Sequence, residues 1–186
     1  MHWFASSLFL AALLLSPAGG IAAEGGAEEK PAAKPAAQAP AAGRVEREAF
    51  VYEAPAGWSL FNNEMRSTFA MASFFNAGGE MIQLSVSGKL TPEQYAGARE
   101  RLRAVEKGGM RHGWILTRAG SAELPPHGTV DEAVYHDNVN LLTSFAYNVF
   151  GPERIALFTI TFKGIKPDVD EAARAARVML GGLRWK

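Results

Sequence analysis

The pattern of apolar and polar positions predicts that β-strands make up much of the chain. Residues 81–87 have a period of two, with Ile82, Leu84 and Val86 on one face and polar side chains between them, which is typical of a strand with one buried face. The apolar stretch 68–75 comes before this strand, and the turn-forming residues 76–79 separate the two. The sequence therefore predicts a β-hairpin in this part of the chain.

Further strands are predicted on both sides of this hairpin. Two of them are long and are joined by a tight turn that has Pro152 at its second position. Because short polar turns connect most of the predicted strands, we expect a mainly antiparallel sheet. These two long strands are residues 141–150 and 155–162, and the other strands predicted outside the hairpin are residues 50–52, a strand that begins at Trp114, and residues 130–136.

A first helix is predicted from Pro92. Thr91 is a suitable N-cap, proline suits the first helical position, and Gln94 completes a capping box. Gly108 and Gly109 are expected to end the helix. Its apolar side chains follow helical spacing and are Tyr95, Ala98, Leu102 and Val105.

A second helix is predicted to follow Asp168, with Glu171 three residues behind this cap. Its expected apolar stripe consists of Val169, Ala173, Ala176, Leu180 and Leu183. Two such helices must bury their stripes on the sheet. The predicted fold class is therefore α+β, with a mainly antiparallel six- to seven-stranded sheet packed with two amphipathic helices.

The N-terminal region has a different pattern. Residues 3–15 form an almost unbroken apolar run, and the small residues Ala22 and Ala23 offer a processing site, so residues 1–23 are predicted to be a signal peptide. Residues 24–43 are rich in alanine and proline and are predicted to be a disordered linker. Residues 44–186 then form one domain. We expect a periplasmic or secreted protein that meets the membrane transiently through the signal peptide, or is held there if cleavage fails.

Composition supports this division and excludes some function classes. The chain has no cysteine, so neither a disulfide nor a lipidated cysteine can hold the domain. The chain has 19 basic residues, counting lysine and arginine together, and 19 acidic residues, counting aspartate and glutamate together. This balance lacks the basic surplus that nucleic-acid binding requires, and no nucleic-acid partner is predicted.

Several local signatures resemble the PsbP/DcrB-like superfold. They are the turn Pro55-Ala56-Gly57-Trp58, the hairpin over residues 69–86, the helix from Pro92, the late strand pair, and the closing helix that runs into residues 182–185. The resemblance covers residues 46–186 and implies a PsbP-like sandwich. That group includes the extrinsic PsbP protein of photosystem II, DcrB-like periplasmic proteins and effector chaperones of type VI secretion. Its members share a shape rather than a reaction, and no functional ligand residue carries over.

Catalytic motifs are missing from the sequence. It contains no G-x-S-x-G elbow, no H-E-x-x-H pair and no glycine-rich phosphate loop. The sequence therefore predicts no catalytic, cofactor-binding or metal-binding residue, and the protein is interpreted as not being an enzyme.

One stretch nevertheless resembles a metal site. His127, Asp131, Glu132, His136 and Asp137 lie close together in the sequence, but a strand offers at most two of these ligands on one face. We interpret them as a half-exposed strand that enters a polar turn. An alternative is a metal-dependent hydrolase that uses His127, Asp131 and His136. Asp137, Asn138 and Asn140 could also suggest a calcium site, but the sequence favours their interpretation as turn residues.

Aromatic and basic residues suggest two binding surfaces. Trp58, Trp114 and Trp185 are expected mainly in the core, with Trp58 and Trp185 the candidates for partial exposure. Arg99, Arg103 and Lys107 fall at helical spacing and are interpreted as a solvated ridge, the alternative being contact with an anionic lipid surface or an acidic partner.

The functional hypothesis that fits these features best is a non-enzymatic accessory protein that binds a protein partner or complex in the cell envelope. An alternative is a binder or chaperone for an apolar ligand, such as lipid or a membrane segment. That alternative predicts a groove on the sheet face, lined by phenylalanine, methionine and leucine.

Overall fold

The computed structural model of the protein describes residues 41–66, 68–107, 110–111, 114–166 and 168–186, except for the side chains of 41–42, 103–107 and 110–111. The predicted signal peptide and nearly all of the predicted linker lie outside these residues. The described strands are β1 (Ala41–Ala42), β2 (Arg44–Glu46), β3 (Phe50–Glu53), β4 (Trp58–Met65), β5 (Phe69–Asn76), β6 (Met81–Ser87), β7 (Met110–Arg111), β8 (Trp114–Leu124), β9 (Gly128–Asp137), β10 (Leu142–Gly151), β11 (Arg154–Lys163) and β12 (Leu183–Trp185), and the helices are α1 (Pro92–Lys107) and α2 (Val169–Leu180).

The larger sheet has the strand order β1-β4-β5-β6-β11-β10-β9-β8-β7. Every described pair of neighbours in it is antiparallel. The two outermost strands are only two residues long. Seven longer strands lie between them, so the predicted α+β class and the six- to seven-stranded antiparallel sheet are confirmed. Strand β1 consists of Ala41 and Ala42, from the end of the predicted linker, and pairs with Ser59 and Leu60 of β4.

A smaller sheet has the order β12-β3-β2 and joins the two ends of the domain. Strand β12 pairs with β3, and Leu183 lies opposite Tyr52. The prediction that Leu183 continues the stripe of the second helix is therefore wrong. Helix α2 ends at Leu180, and the turn at Gly181 and Gly182 reverses the chain into a strand.

The core lies between the two sheets and α2. We call the face of the larger sheet toward α2 the inner face and the opposite one the outer face. Strands supply Tyr52, Phe74 and Phe158 to the core, and α2 supplies Ala176 and Leu180. Trp58 also belongs to this core and is only 8% exposed, so its expected partial exposure is wrong. Its side chain follows the inward alternation of β4, where burial of a large aromatic surface is favourable.

Helix α1 begins with the predicted capping box. The amide of Gln94 donates to the Thr91 hydroxyl over 3.3 Å, and the amide of Thr91 donates to the Gln94 side chain over 2.9 Å. Ala98 and Leu102 bury themselves against Ile155 on the outer face, together with Leu90. The side chain of Val105 is not among those described, and Gly108 and Gly109, which were expected to end the helix, lie outside the described residues.

Candidate functional site

Strand β9 separates the residues of the predicted metal-like cluster. Glu132 lies opposite Tyr147 on the inner face, whereas Asp131 lies opposite Asn148 on the outer face. His127 is in the turn that precedes the strand. Within the part of the chain that the structure describes, no group of three or more histidine, aspartate or glutamate side chains converges as a metal site would require. His127, Asp131 and His136 are therefore not brought together.

Glu132 instead lies at the centre of a charge network. Its side chain is 7% exposed, and its two carboxylate oxygens accept from different arginines: Arg118 on β8 at 3.0 Å and Arg177 on α2 at 2.8 Å. Arg118 also reaches Asp170 at the start of α2, at 2.5 Å. A buried carboxylate needs cationic partners, and those of Glu132 come from two different elements. The network therefore connects α2 to strands β8 and β9.

Tyr147 lies beside this network. Its hydroxyl is buried and has no described partner within hydrogen-bond geometry. Burial raises the pKa of Tyr147 above its ordinary value, and the negative charge of Glu132 raises it further. The positive charge of Arg177 acts in the opposite direction but has a smaller effect. The phenol therefore stays neutral at physiological pH. A neutral phenol and a carboxylate held by two arginines can fix a helix in place, but they offer no free base.

Asp137 organises the turn between β9 and β10. Its carboxylate accepts from the amides of Val139 and Asn140, at 2.9 and 3.0 Å, and from the side chain of Asn140 at 2.6 Å. Burial acts to raise the pKa of Asp137, but these hydrogen bonds outweigh it and lower the pKa below its usual value. The carboxylate oxygens thus serve the turn, as the interpretation of these residues as turn residues predicts.

His127 is a buried imidazole outside this network. Neither ring nitrogen has a described partner within hydrogen-bond geometry. Burial lowers the pKa of His127 below its ordinary value of 6.5, and the nearby backbone of Leu180 opposes this only in part. The folded protein therefore favours the neutral imidazole.

We expect this histidine to make stability fall as the pH drops below about 6.5, because the unfolded chain then takes up a proton that the folded chain resists. His127 can change the free energy of unfolding by at most about 1.4 kcal/mol per pH unit. Urea unfolding at several pH values should show a shallower acid decline in His127→Gln than in the parent protein. Equal slopes for the two proteins would contradict this assignment.

Aromatic residues form a surface on the outer face. Phe61 is 63% exposed, and its ring meets the half-buried ring of Phe75 edge-on at 5.2 Å. Met81 lies opposite Phe75 on β6 and is also half-buried. We call Phe61, Phe75 and Met81 the outer-face patch. Phe61 is exposed because the pairing of β4 with β5 skips it, which leaves a bulge between Leu60 and Asn62.

The described depression on the surface has a different character. It is wide open, has a volume of about 650 Å³, and is lined by Thr117, Arg118, Asp168, Val169 and Asp170. Four of these five lining residues have a polar or charged side chain, and none is a phenylalanine, methionine or leucine. It therefore does not match the groove of phenylalanine, methionine and leucine that an apolar-ligand binder would need.

Only part of the predicted basic ridge on α1 can be placed. The guanidinium of Arg99 lies over the ring of Phe150, 4.7 Å from its centroid, so Arg99 packs against the domain. The side chains of Arg103 and Lys107 lie outside the described ones. Trp185 is half-buried, as expected, and packs over Gly151. Among the described residues, neither helix has the length and apolar content needed to cross a bilayer.

Comparison with known proteins bears on the fold. The sequence matches no protein-family model, and it matches no curated protein. The structure is similar to the solution structure of cyanobacterial PsbP (CyanoP) from Synechocystis sp. PCC 6803, with a TM-score of 0.50 and 11% sequence identity. The match covers 84% of this chain and 98% of that one. The chain therefore has a PsbP-like fold, as the sequence resemblance implied.

Proposed function

We propose that this protein is a non-enzymatic accessory protein, exported to the periplasm or the cell exterior, that binds a protein partner in the cell envelope. The observation that carries the proposal is the outer-face patch, because an exposed phenylalanine at a bulge contributes little to the fold. The PsbP-like fold supports it as a scaffold that presents surfaces. The leader-like sequence of residues 1–23 supports the location.

The chemistry of the patch favours a protein over other partners. Phenylalanine and methionine are enriched at the centres of protein interfaces. The patch also lies near the edge of the larger sheet, where β1 pairs with Ser59 and Leu60 of β4.

A photo-crosslinking experiment tests the proposal. Benzoylphenylalanine at position 61, in the full-length protein expressed in its own cells, should give one discrete crosslinked species on irradiation. We expect Phe61→Ser to lose at least tenfold in affinity for the partner identified in this way, because burying a phenylalanine contributes about 1.5–3 kcal/mol.

Val178 supplies the matched control. It is an exposed aliphatic residue on α2, away from the outer-face patch. Val178→Ser should bind the partner as the parent protein does, and benzoylphenylalanine at position 178 should give no discrete species. Absence of a crosslink from position 61, or equal crosslinking from both positions, would refute the proposal.

A further inference from the structure

Three exposed aliphatic side chains stand together at one end of the sandwich. Val139 and Leu141 lie in the turn between β9 and β10 and are 87% and 59% exposed. Ile165 is in the segment between β11 and α2, and it is also exposed. A backbone hydrogen bond from Gly164 to Leu141, 2.7 Å long, joins the two segments. We call these three residues the apolar tip.

Two buried polar residues hold the apolar tip rigidly. Asp137 holds the turn that carries Val139 through the three hydrogen bonds described above. Thr143, which is fully buried, donates from its hydroxyl to the Gly164 carbonyl at 3.0 Å and accepts from the Lys166 amide at 3.0 Å. These hydrogen bonds hold the backbone of the two segments that carry the aliphatic groups, and such ordering before binding lowers the entropic cost of binding.

The backbone at Leu141 does not suit a leucine. Its φ is 52°, in the left-handed region that glycine and asparagine adopt far more readily. Neither burial nor local conformation therefore explains an exposed leucine at this position. A residue held in a disfavoured conformation at a rigid surface points to a role in binding.

Two lysines flank the apolar tip. Lys163 is exposed, and its ammonium group lies beside Gly79 in the turn between β5 and β6 at the same end of the sheet. Lys166 places its ammonium group over the ring of Phe162 at 5.3 Å. In the described part of the chain, neither lysine is within salt-bridge distance of a carboxylate. The nearby carboxylates have other partners: Glu80 accepts from Asn76, Asp137 holds the turn, Asp168 caps α2, and Asp170 pairs with Arg118.

From this arrangement we infer that the apolar tip inserts into the headgroup region of an anionic lipid bilayer. A protein-binding surface would be expected to carry aromatic residues and arginine, and lysine is depleted from such interfaces. Exposed aliphatic groups beside two lysines instead suit a lipid surface, where the aliphatic side chains enter the interface and the ammonium groups meet anionic headgroups. This surface is separate from the outer-face patch, so the inference goes beyond the proposed function.

The test measures binding to vesicles of phosphatidylglycerol and phosphatidylcholine, with pure phosphatidylcholine vesicles as the comparison. The protein used starts at Glu24, because residues 3–15 would themselves bind lipid, and the described buried core lies between Val45 and Leu183. We expect Leu141→Asn to weaken binding to the mixed vesicles by about tenfold or more. Each of Lys163→Gln and Lys166→Gln should weaken it by about fivefold.

Two controls separate binding from folding. Asparagine tolerates the backbone of position 141, so Leu141→Asn should unfold at the same urea concentration as the parent protein or at a higher one. Val178→Ser and Phe61→Ser should bind the mixed vesicles as the parent does. The inference is overturned if the folded parent protein does not bind these vesicles, or if Leu141→Asn binds them equally well. It is also overturned if Leu141→Asn abolishes capture of a protein partner while vesicle binding is unchanged.

Discussion

Replacing Gly182 with alanine is expected to lower the free energy of unfolding by about 3 kcal/mol. A Cβ at this position would overlap with the carbonyl oxygen of Glu53 and would lie 3.3 Å from the ring of Tyr52. The Glu53 amide also donates to the Gly182 carbonyl at 3.0 Å, so relief of the clash must disturb the pairing of β12 with β3. Urea unfolding followed by tryptophan fluorescence measures the loss.

Gly120 provides the matched control for this substitution. It lies in β8, and a Cβ there would meet no atom within 4 Å. Gly120→Ala should be neutral or slightly stabilising, because alanine restricts the unfolded chain more than glycine does. If Gly182→Ala were as stable as Gly120→Ala, the close approach of the last turn to β3 would be wrong.

Removing the Glu132 carboxylate is the second large effect that we expect. Glu132→Ala should lower the free energy of unfolding by about 2–3 kcal/mol, because it leaves the guanidinium groups of Arg118 and Arg177 without their shared partner. This is below the cost expected for a fully buried pair, since both arginines are about one-third exposed and solvent screens them. Thermal and urea unfolding should agree on the loss.

Glu53 allows a matched comparison on the surface. Its carboxylate also bridges two arginines, Arg44 at 3.2 Å and Arg184 at 3.1 Å, but all three side chains are substantially exposed. Glu53→Ala should therefore cost less than about 1 kcal/mol. Equal losses for the Glu53 and Glu132 variants would mean that burial does not strengthen the Glu132 network.

The sequence predicted best the features that depend on neighbouring residues. The capping box at Thr91 and Gln94 and the cap at Asp168 use residues three positions apart, and both form as expected. The hairpins were predictable for the same reason, since alternation and turn residues are local signals. These elements were sufficient to identify the fold class.

Features that depend on distant partners or on irregular strands were not predicted. Strand β4 was missed because its bulge at Phe61 breaks the alternation. Strand β12 is only three residues long and follows directly on a helical pattern. The Glu132 network joins residues 14 and 45 positions from Glu132, a relationship that no local spacing reveals. The same applies to the apolar tip, whose two segments meet only in the folded chain.

The pairing of β12 with β3 has a consequence for how the chain is made. Arg184 and Glu53, which meet across this pair, are 131 positions apart. A ribosome therefore finishes almost the whole chain before the smaller sheet can close, and loop closure over such a distance slows folding further. The smaller sheet should therefore be the last part of the domain to form, because its strand β12 lies 131 positions after its partner on β3.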